Sequence, residues 1–139
     1  MNIDTNFAKT IDLVHRAMDV SLLRRSVIAN NIANAEVPNF KRSDVNFETE
    51  LKRALESERN PPAIEMSQSD PRHIQNRQVI DYRNVQPRRV VDFDSASNNN
   101  GNNVDVDHEL MAGLENQMLY SLLAQAANFE FNQVNLVLR

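Results

Sequence analysis

Apolar side chains recur in steps of three and four from the start of the chain up to one proline. Phe7, Ile11, Val14, Met18, Leu22, Ile28 and Ile32 form the stripe, and Leu13, Ala17, Val27, Ala29 and Ala33 widen it. That spacing puts all of them on one broad face of a helix. Thr5 or Asn6 supplies a cap at its start. Nothing breaks the pattern before Pro38, whose ring removes a backbone donor and pushes Val37 towards an extended conformation. The spacing predicts a helix over 5–35, about 30 residues and about 45 Å long. A usual globular helix has about 12 residues, so this one needs a long partner.

The partner is expected at the other end of the chain. From Val104 helical spacing returns, with Asp105 or Asp107 as cap and Glu109 in the first turn, where the helix dipole favours an acid. One stripe reads Leu110, Gly113, Gln117, Tyr120, Ala124, Ala127, Phe131, Val134 and Leu138. A second, adjacent stripe reads Met111, Leu114, Met118, Leu122, Phe129 and Leu136. Pairing with one helix covers one stripe, so the surplus predicts assembly with further copies or other partners. The fold expected is mainly α. Long helices within 1–37 and 104–139 pair as an antiparallel coiled coil, forming one unit, and 38–103 lies between them as a central segment.

That central segment is less regular. Asp44 to Leu55 has Phe47, Leu51 and Leu55 on one stripe, acids first and Lys52 and Arg53 later, and so reads as a short second helix. Asn60-Pro61-Pro62 ends it, and 57–76, with Pro71 as well, reads as a loop. Gln78–Tyr82 and Arg89–Phe93 have β character, and a small hairpin is one arrangement they allow. Ser95–Asn103 is a low-complexity polar run, either an exposed loop or a disordered linker.

Composition removes several function classes. At 139 residues the length suits one domain. A net charge of −4 argues against binding nucleic acid through phosphate contacts. The chain has no cysteine, so neither disulfides nor thiol chemistry arise. No apolar run approaches the roughly 20 residues that span a bilayer. The start lacks the basic and apolar regions of a cleaved signal peptide. With two glycines, Gly101 and Gly113, no phosphate-cradling loop is built.

Candidate chemistry is equally thin. Asp105-Val106-Asp107-His108-Glu109 is the one dense group of metal-ligand types, yet it lacks the oxygen count and turn glycine of a calcium loop. It reads as a helix cap with dipole-matching acids. His15, His73 and His108 have no nucleophile setting around them. No catalytic, cofactor or metal site is expected. Met18, Met111 and Met118 fit irregular helix contacts. Arg24-Arg25 interrupts the first apolar face, as a register charge or a snorkelling pair. Asn30, Asn31 and Asn34 sit where helix propensity would not place them, so their amides are expected to bond another segment or another molecule.

The run Ala29-Asn30-Asn31-Ile32-Ala33-Asn34-Ala35-Glu36-Val37-Pro38-Asn39-Phe40-Lys41 resembles the signature that ends the first helix of bacterial flagellar axial proteins, the rod and hook family. The family pattern is an Asn-Ile/Val-Ala-Asn core followed by Thr-Pro-Gly-Tyr. Here Val37 stands for Thr, Asn39 for Gly and Phe40 for Tyr. Asn39 tolerates the left-handed conformation that glycine would supply. Arg42–Leu51 resembles the segment that follows the signature in a rod subunit. Val104-Asp105-Val106-Asp107-His108-Glu109 resembles the Val-Asp-x-Asp-x-Glu start of its C-terminal helix, and Asn116 to Tyr120 the Asn-x-x-x-Tyr beyond it. The length agrees too, and only 57–95 matches nothing specific.

The resemblance implies a structural subunit without catalysis. Such proteins leave the cell through the flagellar type III export apparatus, without a cleaved signal peptide. They build the proximal rod in the periplasmic space, above the MS ring and beside a FliE-like adaptor, with copies of themselves and other rod proteins as neighbours. Under that resemblance Asn30, Asn31, Ile32, Ala33, Asn34, Pro38, Phe40, Asp105, Asp107, Glu109, Asn116 and Tyr120 are the expected assembly residues. Another rod subunit, a cytoplasmic coiled-coil regulator or chaperone, and a membrane-surface helix are the competing readings.

Overall fold

A computed structural model describes residues 6–60, 79–95 and 99–138. The chain is mainly helical. Helix α1 spans Asn6–Ala33, strand β1 Ser43–Asn46, helix α2 Glu48–Arg59, strand β2 Arg88–Val91 and helix α3 Val106–Val137. A 3-10 turn occupies Tyr82–Asn84. The described residues divide into two compact units. One holds α1, most of β1 and β2, and α3; the other runs from Asn46 to Arg88.

In the first unit α1 and α3 pack along each other. The shielded positions of α3 recur at Glu109, Gly113, Asn116, Tyr120, Leu123, Ala127, Glu130 and Val134, alternating steps of four and three. That average of 3.5 residues is the seam of a coiled coil. The seam shares Gly113, Tyr120, Ala127 and Val134 with the first stripe read from sequence, but replaces Leu110 and Gln117 by Glu109 and Asn116. The reason is chemical: Glu109 and Asn116 have polar partners inside, so they are buried while Leu110 is 56% exposed. On α1 the buried residues are Val20, Ser21, Val27, Ile28 and Asn31, and Leu22 faces outward.

The chain leaves α1 through a tightened turn. Asn34 N–H donates to both Asn30 and Asn31 carbonyls, and Ala35 N–H to Ile32. Asn39 then takes φ +60°, the left-handed conformation expected of it.

Two expectations for the centre are corrected. Asp44–Asn46 is not helical: residues 43–46 alternate buried and exposed as β1, and α2 starts only at Glu48. β-branched Val45 fills the buried position, and pairing with β2 takes the backbone bonds a helix would have used. Nor do 78–82 and 89–93 form a hairpin. β2 pairs with β1 instead, and Tyr82–Asn84 turns under an Asp81 side chain that accepts from Arg83 N–H. Gln78, the loop through 61–76 with His73, and 96–98 of the polar run lie outside the described residues.

In the smaller unit Phe47, Ala54, Tyr82 and Val85 are buried. Ser57 Oγ donates to Ala54 carbonyl at 2.7 Å and accepts from Ile80 N–H at 2.9 Å.

Candidate assembly site: a polar seam and an open apolar face

The polar groups that leave the helix surface converge where α1 ends and α3 begins. Asn31 is fully buried. Its Nδ2 donates to Ser43 carbonyl at 2.8 Å and to Glu109 Oε2 at 3.1 Å, while its Oδ1 accepts from Ser43 N–H at 3.0 Å. Arg42 Nε donates to Glu109 Oε1 at 3.0 Å, and that carboxylate is 1% exposed. A buried carboxylate is tolerable only when paired and hydrogen-bonded, and both oxygens of Glu109 are. The expected first-turn acid is therefore a core group, whereas Asp107 is exposed. Asp105 is the cap, its Oδ1 accepting from Asp107 and His108 N–H.

The polar run before α3 is the largest departure from expectation. Asn102, read as part of an exposed loop or linker, is fully buried. Its Nδ2 lies 2.9, 2.9 and 2.8 Å from the carbonyls of Asn34, Ala35 and Val37, and donates into that set. Its Oδ1 accepts from Val104 N–H at 2.7 Å. These carbonyls lie in the turn just past α1, where Val37 and Phe40 N–H already serve those of Asn34 and Val37, and a side chain from 68 residues away adds further donors. Asn103 bridges as well: its Oδ1 accepts from Arg42 N–H, and its Nδ2 donates to Asp92 carbonyl and Ser95 Oγ. Asn100 carbonyl accepts from Asn39 N–H at 3.1 Å.

Two turns further along α3, Ser21 and Asn116 close a second polar contact. Ser21 Oγ donates to Asn116 Oδ1 at 2.9 Å, and Asn116 Nδ2 donates to Ser21 carbonyl at 2.9 Å. Arg24 reaches Val45 carbonyl, at 3.3 Å, and Arg25 is exposed, so the arginine pair has two different roles.

Of the other signature residues, Asn34 turns its amide back to Asn30 carbonyl at 2.7 Å, and Asn30 Oδ1 accepts from Arg89 at 3.3 Å. Ile32, Phe40 and Tyr120 are partly shielded, while Pro38 is exposed. Ala33, at the last position of α1, is exposed. Arg42, Ser43, Asn102, Asn103 and Ser21 belong to the network without having been singled out. The one available signal was Gly101 followed by two asparagines, with only Val104 between them and the helix cap Asp105.

Outside the seam α3 presents a continuous apolar face. Met111, Leu114, Met118, Leu122, Phe129 and Leu136 are each half exposed or more. An apolar stripe of that length is larger than a monomer ordinarily leaves to water. No described helix is long and apolar enough to cross a membrane.

Comparison with known proteins agrees with this picture. Residues 16–41 match the family described as flagella basal body rod protein. The chain is 42% identical to the flagellar basal body rod protein FlgB of Borreliella burgdorferi, over 96% of this chain and 98% of that one. It is 42% identical to FlgB of Borrelia hermsii over the full length of both. Identity to FlgB of Bacillus subtilis is 33%, over 95% of each.

Proposed function

The chain belongs to the FlgB family of flagellar basal body rod proteins, and from that premise we propose how it builds the rod. It is a structural subunit, joining other flagellar proteins by helix packing. Its place is the proximal end, above the MS ring and beside a FliE-like adaptor, reached through the flagellar type III export apparatus without a cleaved signal peptide. No step of that role calls for catalysis. The α1–α3 pair forms the inner tube. Asn31, Glu109 and Asn116 fix the register of that pair, Tyr120 packs within its seam, and Asn30 and Phe40 lie where its surface meets neighbours.

The observation that carries this reading is the open face of α3. Met118 and Leu122 are 55% and 61% exposed, although they stand one turn apart on a helix whose other side is already paired. Full burial of such a side chain from full exposure contributes roughly 1.5–3 kcal/mol, and since more than half of each is still open, a neighbouring helix is favoured there. A strain lacking the gene, complemented with Leu122→Asp, tests it. The substituted chain is expected to keep its helical circular dichroism while cells carry an MS ring and no rod. Normal rods and normal swimming would refute the assignment of this face.

A further inference from the structure

The two edges of the small sheet are treated differently. Asp92 N–H donates to Arg42 carbonyl at 3.0 Å, so the end of β2 meets the start of β1 and the strands run antiparallel. Backbone groups alternate along a strand. On β1 the even residues therefore face β2, and Ser43 and Val45 face the other way. There the side chains of α1 close the edge: Asn31 bonds both Ser43 N–H and its carbonyl, and Arg24 reaches Val45 carbonyl. By the same alternation Arg89 and Val91 direct their backbone groups away from β1. All four residues of β2 are exposed, and no third strand joins the sheet among the described residues.

We propose that this open edge of β2 pairs with β2 of a second copy of the chain. The sequence of the edge is self-complementary when two copies run antiparallel about a dyad at Val90. Arg88 then stands opposite the partner copy's Asp92, and Asp92 opposite its Arg88. Val90, half exposed, meets its own counterpart. These three residues share one face, so both ion pairs and the apolar contact form together. Arg89 and Val91 exchange the outward backbone bonds. The Asp92 carboxylate is held in place by Ser95, whose N–H and Oγ both donate to it. Such a contact is isologous and closes at two copies, unlike the repeating contacts of a rod. It therefore belongs to the subunit off the rod, where an uncovered strand edge invites unwanted pairing, and it goes beyond the assembly role given above.

The chain has no cysteine, which makes the test direct. Opposed side chains on paired strands have Cβ atoms about 4.5–5.5 Å apart, close to disulfide range. Mild oxidation of Val90→Cys is expected to give a covalent dimer as the main product, with at least tenfold less from Asp44→Cys on β1. Adding Arg88→Glu to Val90→Cys, a change at an exposed side chain, is expected to cut the dimer severalfold. Adding Val91→Pro, which removes an outward N–H and spares the bonds to β1, is expected to do the same. Equal yields from the Val90→Cys and Asp44→Cys variants, or a yield unmoved by Arg88→Glu, would overturn the proposal.

Discussion

Asn31 and Glu109 lie 78 residues apart in sequence and meet inside the protein, Asn31 Nδ2 donating to Glu109 Oε2 at 3.1 Å. The contact fixes the end of α1 against the start of α3. Because Arg42 holds the other carboxylate oxygen, losing Glu109 strands two donors at once. Glu109→Leu is expected to destabilise the chain by about 2–3 kcal/mol. Glu109→Gln, which still accepts from Asn31, is expected to cost about half of that. Chemical denaturation followed by circular dichroism gives both values, and equal effects would show that the Asn31 bond contributes nothing.

Asn102 makes a sharper case, since its role depends on donating. Asn102→Ala removes the side-chain donors directed at three carbonyls of the turn after α1 and is expected to cost about 2 kcal/mol. Asn102→Asp keeps the acceptor for Val104 N–H but directs negative charge at those carbonyls. It is expected to be worse than alanine despite its similar shape. Thermal melting of the two variants side by side decides the order.

Gly101 and Asn39 form a tight pair of left-handed residues, at φ +79° and +60°. A Cβ on Gly101 would stand 2.6 Å from Asn39 Oδ1. Gly101→Ala therefore combines backbone strain, about 1–2 kcal/mol, with a clash. Asn39→Gly should remove the clash and leave the strain. The double variant is thus expected to lie closer to the parent than the two single effects summed, in a double-mutant cycle.

Asp92 is held below its ordinary pKa of 3.8, chiefly by the hydrogen bond from the Ser95 hydroxyl. A lowered folded-state pKa contributes stability that is complete above 3.8 and is lost as pH falls through the folded value. A carboxyl NMR titration is expected to place the Asp92 midpoint below that of an unstructured aspartate. Ser95→Ala should raise it again.

Much of the fold was legible because helix periodicity is a strong signal over about 30 residues. Both long helices, the stop near Pro38 and the left-handed Asn39 follow from local chemistry. What stayed hidden depended on partners distant in sequence. Leu110 and Gln117 belonged to the chosen stripe because an apolar count cannot tell that Glu109 and Asn116 have partners waiting. Asn102 looked like filler in a polar run, since the carbonyls it serves lie at the end of another helix. Asp44–Asn46 had a helical charge pattern, and only pairing with β2 makes it a strand.

Among the described residues, the buried ones of the helix pair all lie toward one end. On α1 they run from Val20 to Asn31, and on α3 from Glu109 to Asn116; the start of α1 and the far half of α3 hold none. Separation of the two helices is therefore directional. Fraying begins at the open tips and travels inward until it meets Ser21 and Asn116, with Asn31 and Glu109 letting go last. Amide hydrogen exchange would register this as a gradient of protection along each helix. A subunit that opens this way can lose and regain the outer half of its zipper while its register is kept.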